Sequence, residues 1–224
     1  MRIVSYNLRK HSAVGELTTL ADDHAVDVLC LQEADTTDLP ERVGHLVLVE
    51  ATRNNRLGLA VYCREDRYTV RATKVLAVHK SVHDRILAPA HERLLAVHLL
   101  DRETGREVLV GDFHAAPLTA SNSLRRKQIA AAHDGMRALA DHLPALMVGD
   151  FNYPWFISAL ERRLLTSGYT LTRSTEPTYE RYRYFSGYFD FVTSTGFSID
   201  KVDVLPAGAS DHRPISLTAH ITDD

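Results

Sequence analysis

Acids, amides and histidines recur in this sequence at the points where apolar, strand-like runs end. In the clearest case the apolar run 146–148 is followed by Gly149 and then by Asp150 and Asn152. The same arrangement recurs at Asn7, Glu33, His114, Asp190, Asp211 and His212. Carboxylate, amide and imidazole groups can bind cations and transfer protons, so these strand ends are the candidate site.

Asp150 and Asn152 can be interpreted in two ways. In an extended segment alternate side chains point the same way, which would place both polar groups on one side and Phe151 on the other. Gly149 would let the backbone turn where the strand ends. The structural alternative is that Asp150 and Asn152 only cap a following helix. For this turn taken alone the capping interpretation is favoured, and the repetition along the chain favours the functional one.

If these strand ends meet at one edge, they would bring together four carboxylates, two amides and two imidazoles. Carboxylates gathered in this way raise one another's pKa unless a cation neutralises them. Oxygen ligands select a hard metal such as Mg²⁺ or Mn²⁺, whereas zinc favours Cys or several closely spaced His. A metal, amide donors and an acid–histidine pair together predict attack on a phosphate ester.

The elements that must position these groups follow from hydrophobic periodicity. Strands are predicted near residues 2–7, 28–31, 45–49, 57–62, 68–78, 93–100, 107–110, 146–148, 188–192, 199–204 and 215–220. Helices are predicted near 13–25, 121–142 and 156–165, the last ending at Gly168. Many strands with a few helices favour packed sheets covered by helices, which we interpret as a single domain over residues 1–224.

Composition limits the classes of function. The chain has 224 residues, 45% of them hydrophobic, and a net charge of −3, so no global basic field would recruit nucleic acid or an anionic membrane. Cys30 and Cys63 lie in apolar runs, which fits buried thiols in a reducing compartment. No apolar stretch is long enough to cross a membrane, and no signal-like segment is evident. We therefore expect a cytoplasmic monomer.

Six short motifs, in order along nearly the whole chain, resemble the endonuclease/exonuclease/phosphatase superfamily with its DNase I-like fold. The motifs are Tyr6-Asn7, Leu31-Gln32-Glu33, Phe113-His114, Gly149-Asp150-Phe151-Asn152, Phe189-Asp190 and Ser210-Asp211-His212-Arg213-Pro214. The resemblance implies an α/β fold, a four-layer α/β/β/α sandwich of two mixed, largely antiparallel sheets flanked by helices. It implies that Glu33, together with Asp211 and Asn7, binds Mg²⁺ or Mn²⁺.

The resemblance also implies a role for each remaining residue. Asp150 would orient or deprotonate the attacking water, and Asn152 would bind the scissile phosphate. His212 would be the catalytic histidine, with Asp190 fixing its tautomer. His114 resembles the second histidine of the DNase I and phosphatase branches, where abasic-site endonucleases usually have a tyrosine.

One departure from the family concerns the partner of His114. In DNase I a glutamate on the strand that corresponds to residues 57–62 pairs with this histidine, but the sequence 56–60 here contains no acid. His114 is therefore a proton donor or simply a phosphate ligand.

Three further features have both a structural and a functional interpretation. Arg181 and Arg183 alternate with aromatic residues and could grip a nucleotide, or lie on a solvated strand. Asn54 could donate to phosphate at the rim, although Asn-Asn is also common in turns. Trp155 and Phe156 could stack on a base, but the first core contacts of a helix are the commoner interpretation.

These observations predict a divalent-metal-dependent phosphodiesterase or nuclease that acts on nucleic acid or nucleotides by direct water attack. The alternative within the same chemistry is a phosphatase or phosphodiesterase for a small molecule, such as an inositol phosphate or a phospholipid headgroup. The third possibility is an inactive binding module, which is disfavoured because no position in the motif set is replaced.

Overall fold

The computed structural model describes residues 1–78, 92–180 and 186–222. The predicted contacts of Arg181 and Arg183 lie outside these residues. The helices are α1 Leu17–Asp23, α2 Asn122–Arg137 and α3 Ile157–Thr166, and a 3₁₀ turn at Val14–Glu16 precedes α1. The strands are β1 Arg2–Asn7, β2 Val28–Ala34, β3 Arg42–Val43, β4 Leu46–Ala51, β5 Gly58–Arg64, β6 Tyr68–Ala77, β7 Glu92–Asp101, β8 Glu107–His114, β9 Ala145–Asp150, β10 Thr170–Arg173, β11 Tyr179–Glu180, β12 Ser186–Gly187, β13 Asp190–Thr195, β14 Phe197–Val204 and β15 Ile215–Ile221.

Two mixed sheets form the body of the protein. The first sheet has the strand order β14-β15-β1-β2-β5-β4-β3, and the second has the order β10-β13-β9-β8-β7-β6. Each sheet contains one parallel pair, β1 with β2 and β8 with β9, and the other pairings are antiparallel. The predicted fold class is therefore confirmed.

Strand alternation explains the layers. Inward residues of both sheets, such as Val28 and Val110, share one buried cluster between the sheets. The opposite face of the first sheet packs on α1 through Leu17. The opposite face of the second sheet packs on α2 and α3 through Met136 and Leu160. The order of layers is thus helix, sheet, sheet, helix, as predicted.

Helix α2 is shorter than predicted. Ser121 caps its start by accepting a hydrogen bond from the Leu124 backbone N–H at 3.2 Å, and the helix ends at Arg137 instead of continuing to 142. Leu139 and Leu143 nevertheless still pack against the core. The apolar spacing therefore continues beyond the last helical turn, which is why periodicity overestimated the length.

No helix in residues 1–78, 92–180 and 186–222 is long and apolar enough to span a membrane.

An ion network joins the two sheets at the edge where β1 and β2 begin. Arg67, just before β6, contacts Asp27 at 3.1 Å and Asp101 of β7 at 3.0 Å. Arg64 of β5 contacts Asp27 at 3.4 Å. Both carboxylates are buried, so these contacts compensate the cost of removing them from water.

A second polar link lies between the sheets, inside the apolar layer. Gln32 of β2 donates from Nε2 to Asp112 Oδ1 of β8 at 2.6 Å and to Ser5 at 3.0 Å. Among the described residues, Gln32 Oε1 and Asp112 Oδ2 are buried without a hydrogen-bond partner. Burial raises the pKa of Asp112 well above its usual range, although hydrogen bonds from Gln32 and from the backbone of Ala60 and Leu31 oppose the shift. We therefore interpret this fully buried side chain as a neutral acid.

The substitution Asp112→Asn tests this interpretation. An acid with a raised folded-state pKa destabilises the fold increasingly as pH rises above its unfolded value of about 3.9, whereas an amide does not titrate. We expect the melting temperature of the variant, relative to wild type, to increase between pH 5 and pH 8 by about 2–4 °C or more. Differential scanning calorimetry measures this, with the exposed-site variant Asp141→Asn as control. A difference that does not change with pH would contradict the neutral acid.

Candidate active site

The two parallel pairs bring the predicted residues to one edge of the sandwich. In a parallel pair both strands end on the same side, so Asn7 at the end of β1 lies beside Gln32, one residue before Glu33. In the second sheet His114 at the end of β8 lies opposite Asp150 at the end of β9. Asp190 begins β13, which runs antiparallel, and it also lies opposite Asp150.

A cavity of about 740 Å³ opens at this edge. Six of the predicted catalytic and metal residues line it, namely Glu33, His114, Asp150, Asn152, Asp211 and His212. Asn7 and Asp190 are buried directly behind them and contact Asp150 and His212.

Asp150 is the centre of the hydrogen-bond network. Its Oδ1 accepts from the Asn152 backbone N–H at 2.9 Å, and its Oδ2 accepts from the side-chain amides of Asn7 and Asn152, both at 3.1 Å. The Nε2 atoms of His114 and His212 each lie 3.6 Å from Oδ2. The buried carboxylate therefore accepts three hydrogen bonds from the two asparagines and has an imidazole nitrogen nearby on each of two histidines.

The turn after β9 has the geometry that alternation predicted. Gly149 has φ +145°, and a Cβ there would lie 2.0 Å from the Phe113 carbonyl oxygen, so only glycine fits. Phe151 packs in the core beneath the second sheet, on the side opposite Asp150 and Asn152. Helix α3 begins only at Ile157, and Phe156 occupies its N-cap, so the capping alternative for Asp150 and Asn152 is wrong.

His212 is held by Asp190. The His212 Nδ1 atom lies 2.9 Å from Asp190 Oδ2, which leaves Nε2 directed toward Asp150. Burial alone would lower the pKa of His212, but the charges of Asp190 and Asp150 and the Asp190 hydrogen bond outweigh it and raise the pKa to about 9. At neutral pH this imidazole is therefore a cation with two hydrogen-bond donors.

Asp150 and His114 shift differently. Burial, followed by the charges of Asp190 and Glu33, raises the pKa of Asp150 to about 7, although His212 and the Asn152 hydrogen bond lower it. Burial, followed by the charges of Arg93 and His212, lowers the pKa of His114 well below its usual value. His114 is therefore a neutral imidazole, which agrees with the absence of an acid from residues 56–60.

Oxygen and nitrogen ligands for a cation are close together here. Ligand atoms of Asp150, Asp190 and His212 all lie within 4.8 Å of one another, a spacing that could hold a metal ion. The carboxylates of Glu33 and Asp211, which the resemblance favoured, line the same cavity. The structure thus contains a possible metal site.

The loop after β1 supports the predicted metal residues. Its backbone N–H groups donate from Lys10 to Glu33 Oε2 at 2.9 Å and from Arg9 to Asn7 Oδ1 at 3.0 Å. Arg9, Lys10 and His11 have positive φ of 45°, 55° and 68°, and Glu33 has 53°. Such backbone is unfavourable for residues with a Cβ, and its concentration here is typical of a functional site.

Asn7 and Asn54 both have hydrogen-bonding partners within the protein. Both ends of the Asn7 side chain bond within the protein, to Arg9 and Asp150, so the geometry gives it the role of positioning Asp150, and metal ligation by it stays a prediction. Asn54 donates from Nδ2 to Glu92 at 2.8 Å and is not among the residues that line the cavity, so the geometry gives it the role of fixing the rim, and substrate binding by it stays a prediction. Its neighbours Asn55 and Arg56 line the cavity instead.

Several cavity residues were given no functional role by the sequence. Tyr179 and Phe189 form an aromatic wall, with ring centroids 4.8 and 6.0 Å from that of His212. Arg93 is buried at the start of β7 and donates to the carbonyl groups of His114 and Ala115. An aromatic residue or arginine inside a strand has no sequence signal that distinguishes it from ordinary core or surface.

Helix α2 fixes the segment 117–119, which lines another side of the cavity. Arg125 donates to the Pro117 carbonyl at 2.8 Å, and Gln128 accepts from the Ala116 N–H at 2.8 Å. A short basic run on a helix, such as 125–127, is usually solvated, but Arg125 is only 2% exposed. Arg125 is buried because its guanidinium bonds to the Pro117 carbonyl.

The chain is similar in sequence and in fold to proteins that are already known. The profile of the Endonuclease/Exonuclease/phosphatase family matches residues 4–212. An endonuclease/exonuclease/phosphatase from Bacteroides vulgatus superposes with a TM-score of 0.79 at 15% identity, covering 99% of this chain and 98% of that chain. No curated protein matches the chain.

Two further solved structures are of proteins named for a substrate or solved with a product. The mannosyl-6-phosphatase of Bacteroides thetaiotaomicron gives a TM-score of 0.79 at 16% identity and covers 99% of this chain and 100% of that chain. TDP2 of D. rerio, complexed with a single-strand DNA product, superposes with a TM-score of 0.77 at 13% identity, and 98% of each chain is covered. At these identities the superpositions establish the fold.

The substitution Asp190→Asn tests the pairing with His212. Removing the negative charge that outweighs burial should lower the pKa of His212 from about 9. A histidine with a raised pKa stabilises the fold below about pH 6.5 and loses that contribution as pH rises through about 9, so this pH dependence should shrink in the variant. NMR titration of the imidazole in chelator measures the shift, with Asp200→Asn beside exposed His220 as control. An unchanged His212 pKa would contradict the pairing.

Proposed function

This chain belongs to the endonuclease/exonuclease/phosphatase family and is therefore a phosphoesterase, and we propose that it is a divalent-metal-dependent phosphodiesterase acting on nucleic acid or nucleotides. The observation that carries the proposal is the cluster of Asp150, Asp190 and His212, with ligand atoms within 4.8 Å of one another in a cavity lined by further carboxylates. It supplies a proton acceptor and a cationic donor side by side.

The donor set of the cavity fits a hard divalent cation. Glu33 and Asp211 contribute carboxylates to the cavity, and the charges of Asp190 and Glu33 add to burial in raising the pKa of Asp150. Because Asp190 already binds His212, we propose that Glu33 and Asp211 hold the ion. When bound, Mg²⁺ or Mn²⁺ would offset charge on the phosphoryl group and make a water molecule more acidic.

The side chains would then divide the work of a direct displacement by water. Asp150 accepts a hydrogen bond from the attacking water and takes its proton as the water oxygen bonds to phosphorus. The bond from phosphorus to the leaving alcohol oxygen breaks in the same displacement, and that oxygen takes a proton from solvent water. Cationic His212, fixed by Asp190, donates from Nε2 to a phosphoryl oxygen and stabilises the charge that develops there. Asn152 is held beside Asp150 and turns its amide to the scissile phosphate. His114, as a neutral imidazole, serves as a hydrogen-bonding group and adds no charge.

A phosphodiester is favoured over a monoester by the rim of the cavity. Arg9, Lys10 and Arg56 line it and are exposed, which suits a substrate with phosphates on either side of the scissile one. The structure of TDP2, complexed with a single-strand DNA product, has the same fold. The alternative, a phosphatase for a small molecule, is supported by the mannosyl-6-phosphatase of similar fold. Action as a cytoplasmic monomer stays a prediction.

Asp150→Asn tests the role of the central carboxylate across a panel of esters. The panel contains plasmid DNA, single-stranded DNA, RNA, bis(p-nitrophenyl) phosphate and phosphomonoesters, each with Mg²⁺, with Mn²⁺ and with chelator. We expect metal-dependent cleavage of the diesters by wild type. The variant should lose about 10³-fold or more in kcat, or about 4 kcal/mol, because the acceptor for the water proton is gone.

The control for this variant is Asp141→Asn, which neutralises an exposed carboxylate outside the cavity. Circular dichroism should show that both variants fold. Near-normal turnover by Asp150→Asn would refute its role, and release of phosphate from monoesters alone would favour the phosphatase alternative.

Glu33→Gln tests the proposed metal ligand. Replacing one carboxylate by an amide keeps the shape but removes a charge that attracts the cation. We expect the Mg²⁺ concentration for half-maximal activity to rise about 10-fold or more, and calorimetric binding of Mn²⁺ to weaken to match. The control is Glu103→Gln on the exposed turn between β7 and β8. Unchanged metal affinity would move the metal to the Asp150, Asp190 and His212 cluster.

A further inference from the structure

Two aromatic side chains are exposed immediately after the catalytic turn. Trp155 is 51% exposed and Phe156 is 73% exposed, whereas the sequence favoured them as the first core contacts of a helix. A contiguous exposed apolar patch, unlike a single exposed apolar residue, can mark a binding site. Their exposure is not explained by the packing of helix α3, which buries Leu160 and Leu164 instead.

Local backbone structure does not explain Phe156 either. It occupies the N-cap of α3 in the left-handed region, with φ 63° and ψ 31°, and makes no side-chain capping hydrogen bond. Gly or Asn would suit this conformation better, and Ser, Asp or Asn would cap the helix. A bulky aromatic residue at such a position goes against both local preferences. Binding of another molecule therefore explains it better than the stability of the fold does.

The pair lies beside the cavity. Trp155 follows Asn152, which lines the cavity, by three residues, so their Cα atoms are at most about 11 Å apart. Pro154 lies against β12, since a Cβ on Gly187 would be 3.6 Å from its Cβ. The same Gly187 position also contacts Phe189 of the aromatic wall. Trp155 and Phe156 therefore extend the aromatic wall of the cavity toward solvent.

We propose that Trp155 and Phe156 form a stacking platform for bases of a single-stranded nucleic acid whose scissile phosphate occupies the cavity. The inference rests on the proposed function and deepens it by naming the substrate as single-stranded. Aromatic faces next to a groove with basic side chains are the usual equipment for gripping single strands. Here Arg9, Lys10 and Arg56 supply the charge at the cavity, and the platform supplies the stacking surface.

Intrinsic fluorescence tests the platform directly, because Trp155 is the only tryptophan in the sequence. The protein is titrated in chelator, so that nothing is cleaved, with a single-stranded octathymidylate. The matched ligand is an abasic oligonucleotide with the same number of phosphates. We expect quenching and protection from acrylamide with the first ligand, and neither with the second.

A second experiment separates stacking from general damage to the fold. Trp155→Ala and Phe156→Gly should each raise KM for a single-stranded oligonucleotide about 5- to 100-fold, with a much smaller change in kcat, because stacking on one base is worth about 1–3 kcal/mol. Phe156→Gly also suits the left-handed backbone and should fold at least as well. Leu165→Ala, at an exposed site in the last turn of α3, is the control and should leave KM unchanged.

Each other result has a definite meaning. Equal quenching by the abasic ligand, no quenching, or quenching by anionic phospholipid vesicles in place of the oligonucleotide would overturn the platform. Cleavage of the oligonucleotide with normal KM in both variants would overturn it while leaving the proposed function intact. Quenching by the oligonucleotide without turnover of any ester would retain the platform and refute the proposed function.

Discussion

The carboxylate of Asp150 is buried, and the arrangement of the site depends on how that burial is compensated. A desolvated carboxylate requires donors on each oxygen, and those donors come from elements far apart in sequence. Asn7 reaches it from the first sheet, Asn152 from the turn after β9, and the two histidines approach from either side. Burial raises the pKa of Asp150, whereas the charges of Asp190 and Asp150 raise that of His212, so the packing of the site also prepares an acid–base pair.

The two packed sheets hold the unfavourable backbone of the loops at the site. Three consecutive left-handed residues after β1 and a left-handed Glu33 are individually unfavourable, and they persist because both strands continue into a packed sandwich. Asp112 precedes His114 by two residues, and Gln32 precedes Glu33 by one. The hydrogen bond between Gln32 and Asp112 therefore fixes the separation of the two sheets next to the site. At the opposite edge, Arg67 joins the sheets through Asp27 and Asp101. The site is thus a set of loops on a frame fixed at both ends.

Much of this could be predicted from the sequence, and the failures have physical causes. Asp150, Asn152 and His212 were identifiable because polar residues at the ends of buried runs contrast with their surroundings. The Glu92 partner of Asn54 could not be predicted, because a turn asparagine has the same sequence signal whether it faces a substrate or a carboxylate of the protein. The burial of Arg125 could not be predicted either, because burial of a guanidinium depends on carbonyl groups supplied by another segment. Tertiary partners of this kind are not encoded in local periodicity.

The bond between Ser210 and the Asn7 carbonyl, at 2.6 Å, joins residues 203 positions apart. The contacts of Asp150 with Asn7 and of His212 with Asp190 likewise form only after strands β1, β9 and β13 and the segment before β15 have come together. During synthesis, the site is therefore incomplete until His212 has left the ribosome and β15 has paired with β1. Such distant pairings form slowly, since loop closure precedes the contacts that stabilise it. A nascent chain built this way therefore lacks a complete phosphoesterase site until residues from distant parts of the sequence have come together.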